Sequence, residues 1–215
     1  MMMLTTAVMA ILSYLLGSVP FSIVISRIWK GIDPRDYGSK NAGFANVYRV
    51  IGPLPAVIVL VLDIAKGMTA VLLITQIASN SVWLSLIDLK ILAGVFVILG
   101  HVFPLFAGFK GGKGIAAGLG ALLSIIPLEV GLALILFVLI VTITRYVSLG
   151  SLSATAFIFL ALVFERYYLK YQVPSELILM MFFLTAFIFF NHRSNIKRLL
   201  AGTENKFGRK GMNKV

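Results

Sequence analysis

Seven long apolar stretches separated by short polar ones set the pattern of the chain: residues 4–28, 54–77, 86–103, 115–126, 128–143, 149–164 and 177–190. A helix that crosses a membrane needs about 20 mostly apolar residues, because it rises about 1.5 Å per residue through hydrocarbon about 30 Å thick. The fourth stretch has only about a dozen and is parted from the fifth by Pro127 and Glu129, which marks it as short, tilted or re-entrant. Charges are sparse within the others. Arg27 closes the first, Asp63 and Lys66 lie inside the second, and Asp88 and Lys90 stand near the start of the third. The pattern predicts an all-α, polytopic integral membrane helix bundle of seven transmembrane helices, built as a single domain over residues 1–205. No basic residue precedes the first run and its length suits a full crossing, so it reads as retained and not as a cleaved signal.

Charge sets the expected orientation. With the N-terminus outside and seven crossings, the cytoplasmic pieces hold Arg27, Lys30, Arg35, Lys40 and Arg49, then Lys110 and Lys113, then Arg145, and finally the basic residues from Arg193 to Lys214. That places 15 of the 19 Lys and Arg residues inside and leaves Arg166 and Lys170 outside, as the positive-inside rule asks. The last ten residues, 206–215, then read as a solvated basic cytoplasmic tail.

Composition agrees: 60% of the 215 residues are hydrophobic and 13% charged, against roughly 45–50% and 25% in a soluble domain. A water-soluble fold is excluded. The net charge of +11 points to anionic partners: lipid headgroups, nucleic acid or a phosphorylated small molecule. Absence of Cys rules out disulfides, Cys-ligated zinc and a cysteine nucleophile, and two histidines do not make a histidine-rich metal centre. No metal and no cofactor are expected.

The polar residues gather in three stretches, 33–49, 100–120 and 192–208, all at the cytoplasmic face in this topology and so expected to meet at one site. In the first, Gly38, Gly43, Ser39, Asn41 and Asn46 permit tight turns with short side chains aimed inward, and Arg49 adds a planar donor fork for a carboxylate or phosphate. In the second, Lys110-Gly111-Gly112-Lys113-Gly114 sets two ammonium groups on a permissive backbone just before a helix, an arrangement suited to an anion. It is not a Walker A loop, since Ile115 follows where Lys-Ser/Thr would be needed. Gly114 and Gly118 also have small-xxx-small spacing, which explains the glycines but not the lysines. In the third, His192 and Asn195 share one helix face by i, i+3 spacing. Asp63 and Lys66 have the same spacing and read as a structural pair inside the membrane. His101 is a secondary candidate.

Together these stretches resemble the bacterial acyl-phosphate:glycerol-3-phosphate acyltransferase family, integral membrane enzymes of phospholipid synthesis, over nearly the whole chain. The likeness is carried by Gly38-Ser39-x-Asn41-x-Gly43, Asn46-Val47-x-Arg49, Gly100-His101-x-x-Pro104, the segment 109–114 and His192-x-x-Asn195-Ile196-x-Arg198-Leu199. Gly17-Ser18, Asp63-x-x-Lys66-Gly67, Ser148-Leu149-Gly150, Glu204 and Lys206 also match. Ala42 and Ala45 stand where the family commonly has Pro and Thr, and Ala117 where Thr is usual; Ala45 lacks a hydroxyl, so no binding role falls on it.

The resemblance implies transfer of a fatty acyl group from acyl phosphate to the 1-hydroxyl of sn-glycerol 3-phosphate, giving lysophosphatidic acid and phosphate, in the inner membrane with the site on its cytoplasmic face. Ser39, His192 and Asn195 would orient the reacting groups. Asn41, Gly43, Asn46, Arg49, Lys110, Gly111, Gly112 and Lys113 would hold the substrates, with Ser148 a further contact and Glu204 a lock on the tail. Neither histidine heads a His-x4-Asp signature, and the first loop offers no base for Ser39 as a nucleophile. Acyl phosphate is already activated, so direct attack with a substrate phosphate oxygen taking the proton is the expected course, and His192 as base is the alternative. A transporter of small phosphorylated anions is the competing reading, weakened by seven unequal segments without an evident repeat. A scaffold binding lipid or nucleic acid explains the charge but not the ordered motifs; the expected partners are the two substrates and membrane lipid, with no nucleic acid.

Overall fold

The structure, a computed structural model, describes residues 2–80 and 83–208, and every regular element in it is an α-helix or a short 3-10 turn. These residues divide into two compact units, one up to Ile125 and one from Ile126 onward. The first unit contains α1 (Met2–Gly17), α2 (Phe21–Lys30), α3 (Phe44–Val50), α4 (Pro53–Leu72), α5 (Leu86–Val102) and α6 (Ile115–Leu123). The second contains α7 (Pro127–Thr144), α8 (Val147–Tyr167), α9 (Ser175–Asn191) and α10 (Arg193–Leu200).

Local chemistry sets the ends. Pro20 lacks an N–H and cannot continue α1, so the chain breaks at Ser18–Pro20 before α2 resumes. Pro53 and Pro127 occupy first-turn positions where an N–H would have no helical partner. Ser85 and Asp88 form a reciprocal capping box at the start of α5. Arg145, at φ 63°, closes α7 in the left-handed conformation.

In the first unit α1 packs on α5 and α4 on α6, each so closely that backbone touches backbone. A side chain at Gly17 would collide with the Val97 carbonyl, and one at Gly120 with the Ile64 carbonyl. Small residues at a crossing allow this approach, which van der Waals packing then rewards in lipid. Gly118, the partner expected from the Gly114 spacing, makes only ordinary contact with Ile98. The family-departing Ala117 is fully buried at the α4–α6 crossing. In the second unit α7, α8 and α9 pack in sequence. Only Val130 and Ala133 of α7 are buried, whereas α5 buries eight residues from Leu89 to Val102 and is central in its unit.

Among the described residues, five helical spans are long and apolar enough to cross a membrane: Met3–Lys30, Pro53–Ala78, Leu86–Ala107, Pro127–Thr144 and Val147–Tyr167. A sixth is reached when Ser175–Asn191 and Arg193–Leu200, bent by 62°, count as one. The expected fourth stretch forms α6, whose 9 residues rise only about 13 Å, less than half the hydrocarbon thickness. α3 lies inside the stretch read as loop. Its seven residues are too few to display a period, yet Val47 is fully buried with Ala56 and Val59. At the start of the expected tail, Phe207 N–H donates to the Arg145 carbonyl at 2.7 Å and exposed Lys206 sits 5.7 Å from the Tyr146 ring centre. Residues 209–215 of the expected tail lie outside the described residues.

Candidate functional site

In the first unit the site grows from a turn stapled by one asparagine. Asn46, buried on α3, accepts from the Ser39 N–H at 2.8 Å and donates to the carbonyls of Pro34 at 2.6 Å and Tyr37 at 3.1 Å. Expected to hold substrate, its amide is instead committed at both ends to the loop, and it fixes where exposed Ser39 stands. Asn41, Gly43 and Arg49 are half-buried around the same turn and the helix it leads into.

A clasp ties this turn to the lysine loop. Arg35 meets Asp33 in a bidentate pair, Nε to Oδ1 at 3.0 Å and Nη2 to Oδ2 at 2.8 Å. Its Nη1 donates to the carbonyls of Ala107 at 2.7 Å and Lys110 at 3.2 Å. The hydrogen bond from Arg35 holds the Asp33 carboxyl below the usual carboxylate range. Between the two loops lies a cavity of about 510 Å³ lined by Arg35, Asp36, Lys40, Ala107, Gly108, Lys110 and Gly111. Three cations and one carboxylate on this lining give it a positive balance suited to an anion. Sequence reading used Arg35 only as a charge and passed over Asp33; the signal was Asp33-x-Arg35, a spacing that lets a short turn fold the fork back onto its partner.

The lysine loop corrects one expectation. Gly111 and Gly112 were to present their N–H groups to phosphate, but Gly111 donates to the Val102 carbonyl and Gly112 to the His101 carbonyl, each at 3.1 Å. Those bonds turn the loop back along the end of α5, where a side chain on Gly112 would overlap the His101 ring. Phe109 takes φ 59°, a left-handed conformation rare for a bulky residue, immediately before exposed Lys110. Lys113 is half-buried. The glycine amides are thus spent on backbone carbonyls, while the Lys110 side chain is exposed.

Beneath the loop Asp63, Lys66 and His101 are 2%, 3% and 7% exposed. Lys66 Nζ stands 2.9 Å from Asp63 Oδ1, so the expected pair forms, and His101 Nδ1 joins the same oxygen at 3.4 Å.

The second unit holds a second polar group. Glu204 Oε1 accepts from Asn195 Nδ2 at 2.7 Å and Ser148 Oγ at 3.1 Å, while Oε2 pairs with Arg198 Nε at 2.7 Å. Ser148, expected to touch substrate, thus donates its hydroxyl to Glu204. Arg198 was missed as a site residue, although its place in the third motif was noted. His192, 3% exposed, brings Nδ1 to 2.8 Å from the Ile188 carbonyl. A carbonyl only accepts, so Nδ1 carries a proton.

Comparison with known proteins places the chain. A family described as Glycerol-3-phosphate acyltransferase matches residues 7–202. A glycerol-3-phosphate acyltransferase of Desulforamulus reducens is 40% identical over 98% of this chain and 99% of its own length. One of Halalkalibacterium halodurans is 43% identical over 92% and 93%. The crystal structure of PlsY (YgiH), an integral membrane glycerol 3-phosphate acyltransferase, in its glycerol 3-phosphate form is 37% identical, covers 94% of this chain and 96% of that one, and gives a TM-score of 0.82. Its lysophosphatidic acid form gives 0.80 at 36% identity. The polar motifs, the all-helical architecture and these matches over nearly the full length of the sequence agree: this chain belongs to the glycerol-3-phosphate acyltransferase family.

Proposed function

We propose that this protein transfers a fatty acyl group from acyl phosphate to the 1-hydroxyl of sn-glycerol 3-phosphate, releasing phosphate and lysophosphatidic acid as a step of phospholipid biosynthesis. The observation that carries the reading is the full-length likeness to an integral membrane enzyme solved in both a glycerol 3-phosphate form and a lysophosphatidic acid form, the acceptor and the product of this reaction. The donor assignment rests on the motifs and on basic loops that suit a second phosphorylated substrate.

The hydroxyl oxygen of glycerol 3-phosphate attacks the acyl carbon, the carbon–oxygen bond to phosphate breaks, and a substrate phosphate oxygen takes the proton. The leaving group is good, so the protein's part is positioning and charge stabilisation. Lys110, Lys113 and Arg49 hold phosphate oxygens, Asn46 sets Ser39, Asn41 and Gly43 shape the turn, and Ser39, His192 and Asn195 orient the reacting groups. Glu204 fixes Asn195 and Ser148. In this reading residues 1–205 act as one domain of a multi-pass protein of the inner membrane, the short α6 passing as the fourth of seven crossings, with the N-terminus outside and the chemistry on the cytoplasmic side. Fifteen of the 19 basic residues fall inside in that arrangement.

Purified protein in detergent, given acyl phosphate and labelled glycerol 3-phosphate, should form lysophosphatidic acid. A folded protein that forms none overturns the reading, and uptake of glycerol 3-phosphate into vesicles without product would install a transporter in its place.

A further inference from the structure

One side of α9 is apolar and exposed: Leu179, Phe183, Ala186 and Phe190 follow one another at intervals of three and four residues, as one helix face requires. After Asn191 the axis bends by 62°, and the same side continues on α10 with a change of chemistry. Arg193, Lys197 and Leu200, again three and four apart, are exposed. The bend does not part the two runs. The Arg193 guanidinium lies over the Phe190 ring, 4.5 Å from its centre, and Nη1 donates to the Phe190 carbonyl at 3.1 Å. Arg198 takes the carboxylate of Glu204, and among the described residues Lys197 has no ion pair. The back of α10 is inward. At about 100° per residue Asn195 points about 160° away from both Arg193 and Lys197, and it is buried on Glu204.

Neither water nor hydrocarbon suits the outer side. Leu200, 85% exposed, and Phe190, 62% exposed, would stand bare in water, whereas two cations would be stranded among acyl chains. The zone between suits all four, since rings and methyls reach toward the acyl layer while long cationic stems reach back to the headgroups. We propose that the outer face of α10 is a docking surface for anionic phospholipid in the leaflet where α9 ends, with Arg193 and Lys197 on headgroup phosphates and Phe190 and Leu200 in the adjoining acyl layer. Each cation near an anionic surface favours the docked state about fivefold. Asn195 stands on the back of the same two-turn helix, so docking also steadies its bond to Glu204, and turnover rises with the anionic share of that leaflet. The docking surface needs only the membrane reading; its effect on rate rests on the acyl transfer proposed above.

The chain has no Cys, so Leu200→Cys supplies a single position for an environment-sensitive nitrobenzoxadiazole label. In nanodiscs of phosphatidylcholine mixed with phosphatidylglycerol, the label should be shielded from the neutral aqueous quencher acrylamide about fivefold better than in phosphatidylcholine alone. Arg193→Gln with Lys197→Gln should erase that difference, and Arg193→Lys with Lys197→Arg should keep it. On the unlabelled chain kcat should rise about threefold or more with the anionic lipid, and hardly at all in the double Gln variant. It is read at saturating substrate, because an anionic surface also repels both substrates. A label equally open to acrylamide in both lipids overturns the docking surface and leaves this face to a soluble acidic partner. Equal shielding in both lipids overturns it too, since apolar anchoring alone then accounts for the face. A lipid-dependent label beside a kcat indifferent to lipid upholds the docking surface and overturns its effect on rate. A folded protein that makes no lysophosphatidic acid in either lipid overturns the acyl transfer, while the label still decides the docking surface.

Discussion

The guanidinium of Arg35 donates to the carbonyl of Lys110 at 3.2 Å, across 75 residues of sequence, and to that of Ala107 at 2.7 Å. Asp33 holds the other edge of the same fork. One side chain thereby joins the turn that presents Ser39 to the loop that presents Lys110. Only a planar group with five donors fits these four acceptor atoms at once.

Arg35→Ala and Arg35→Lys should therefore behave alike. Each should raise KM for glycerol 3-phosphate about tenfold, with kcat within a few-fold, because the Lys110 loop loses its registration. Steady-state kinetics in detergent with both substrates varied checks this. Unchanged constants in Arg35→Lys would show that charge alone suffices.

The same clasp makes a prediction about acid. The Asp33 carboxyl lies below its ordinary value because of its hydrogen bond from Arg35, so its stabilisation is complete above about pH 4, the unfolded carboxylate value, and disappears as pH falls through the lower folded one. Thermal midpoints between pH 3 and pH 8 should drop at the acid end in the unsubstituted protein. Asp33→Asn should start lower at neutral pH and fall less. Parallel curves would remove the assignment.

His192 separates two routes for the proton. If a substrate phosphate accepts it, His192→Gln should slow turnover about tenfold to a hundredfold through lost orientation while the acid limb of the pH–rate profile, set by phosphate ionisation near pH 6, remains. If the ring is the base, the limb should vanish and binding should persist. Profiles of kcat for the two proteins decide.

Glu204 gathers three donors, so its loss should be felt in stability first. Glu204→Gln keeps an acceptor for Asn195 and Ser148 but weakens the pair with Arg198, which is 34% exposed; about 1 kcal/mol is expected. Glu204→Ala leaves those donors without their acceptor and should cost about 1–3 kcal/mol more. Thermal unfolding in detergent should rank the three proteins in that order, with Arg198→Met close to Glu204→Gln.

Much of this was legible in the order of residues. Apolar length announced the long helices because hydrocarbon imposes a minimum span, and Asp63 with Lys66 declared itself because charges in such a span demand a partner. What stayed hidden depended on contacts distant in sequence. No local pattern says that Gly111 and Gly112 donate to the end of α5, that Asn46 turns inward onto Pro34 and Tyr37, or that Arg35 reaches Ala107. α3 escaped because its burial is decided by Ala56 and Val59, beyond its own two turns.

The interruption at Ser18–Pro20 bears on biogenesis. Gly17 and Val19 offer carbonyls that Lys66 satisfies, yet Lys66 is synthesised 49 and 47 residues later. Until that ammonium arrives, the nascent α1–α2 segment carries acceptors that bare acyl chains cannot solvate. The break in the first hydrophobic segment is therefore completed only by a residue of the second, which makes the pairing of α4 with α1–α2 a condition for satisfying it from within the protein.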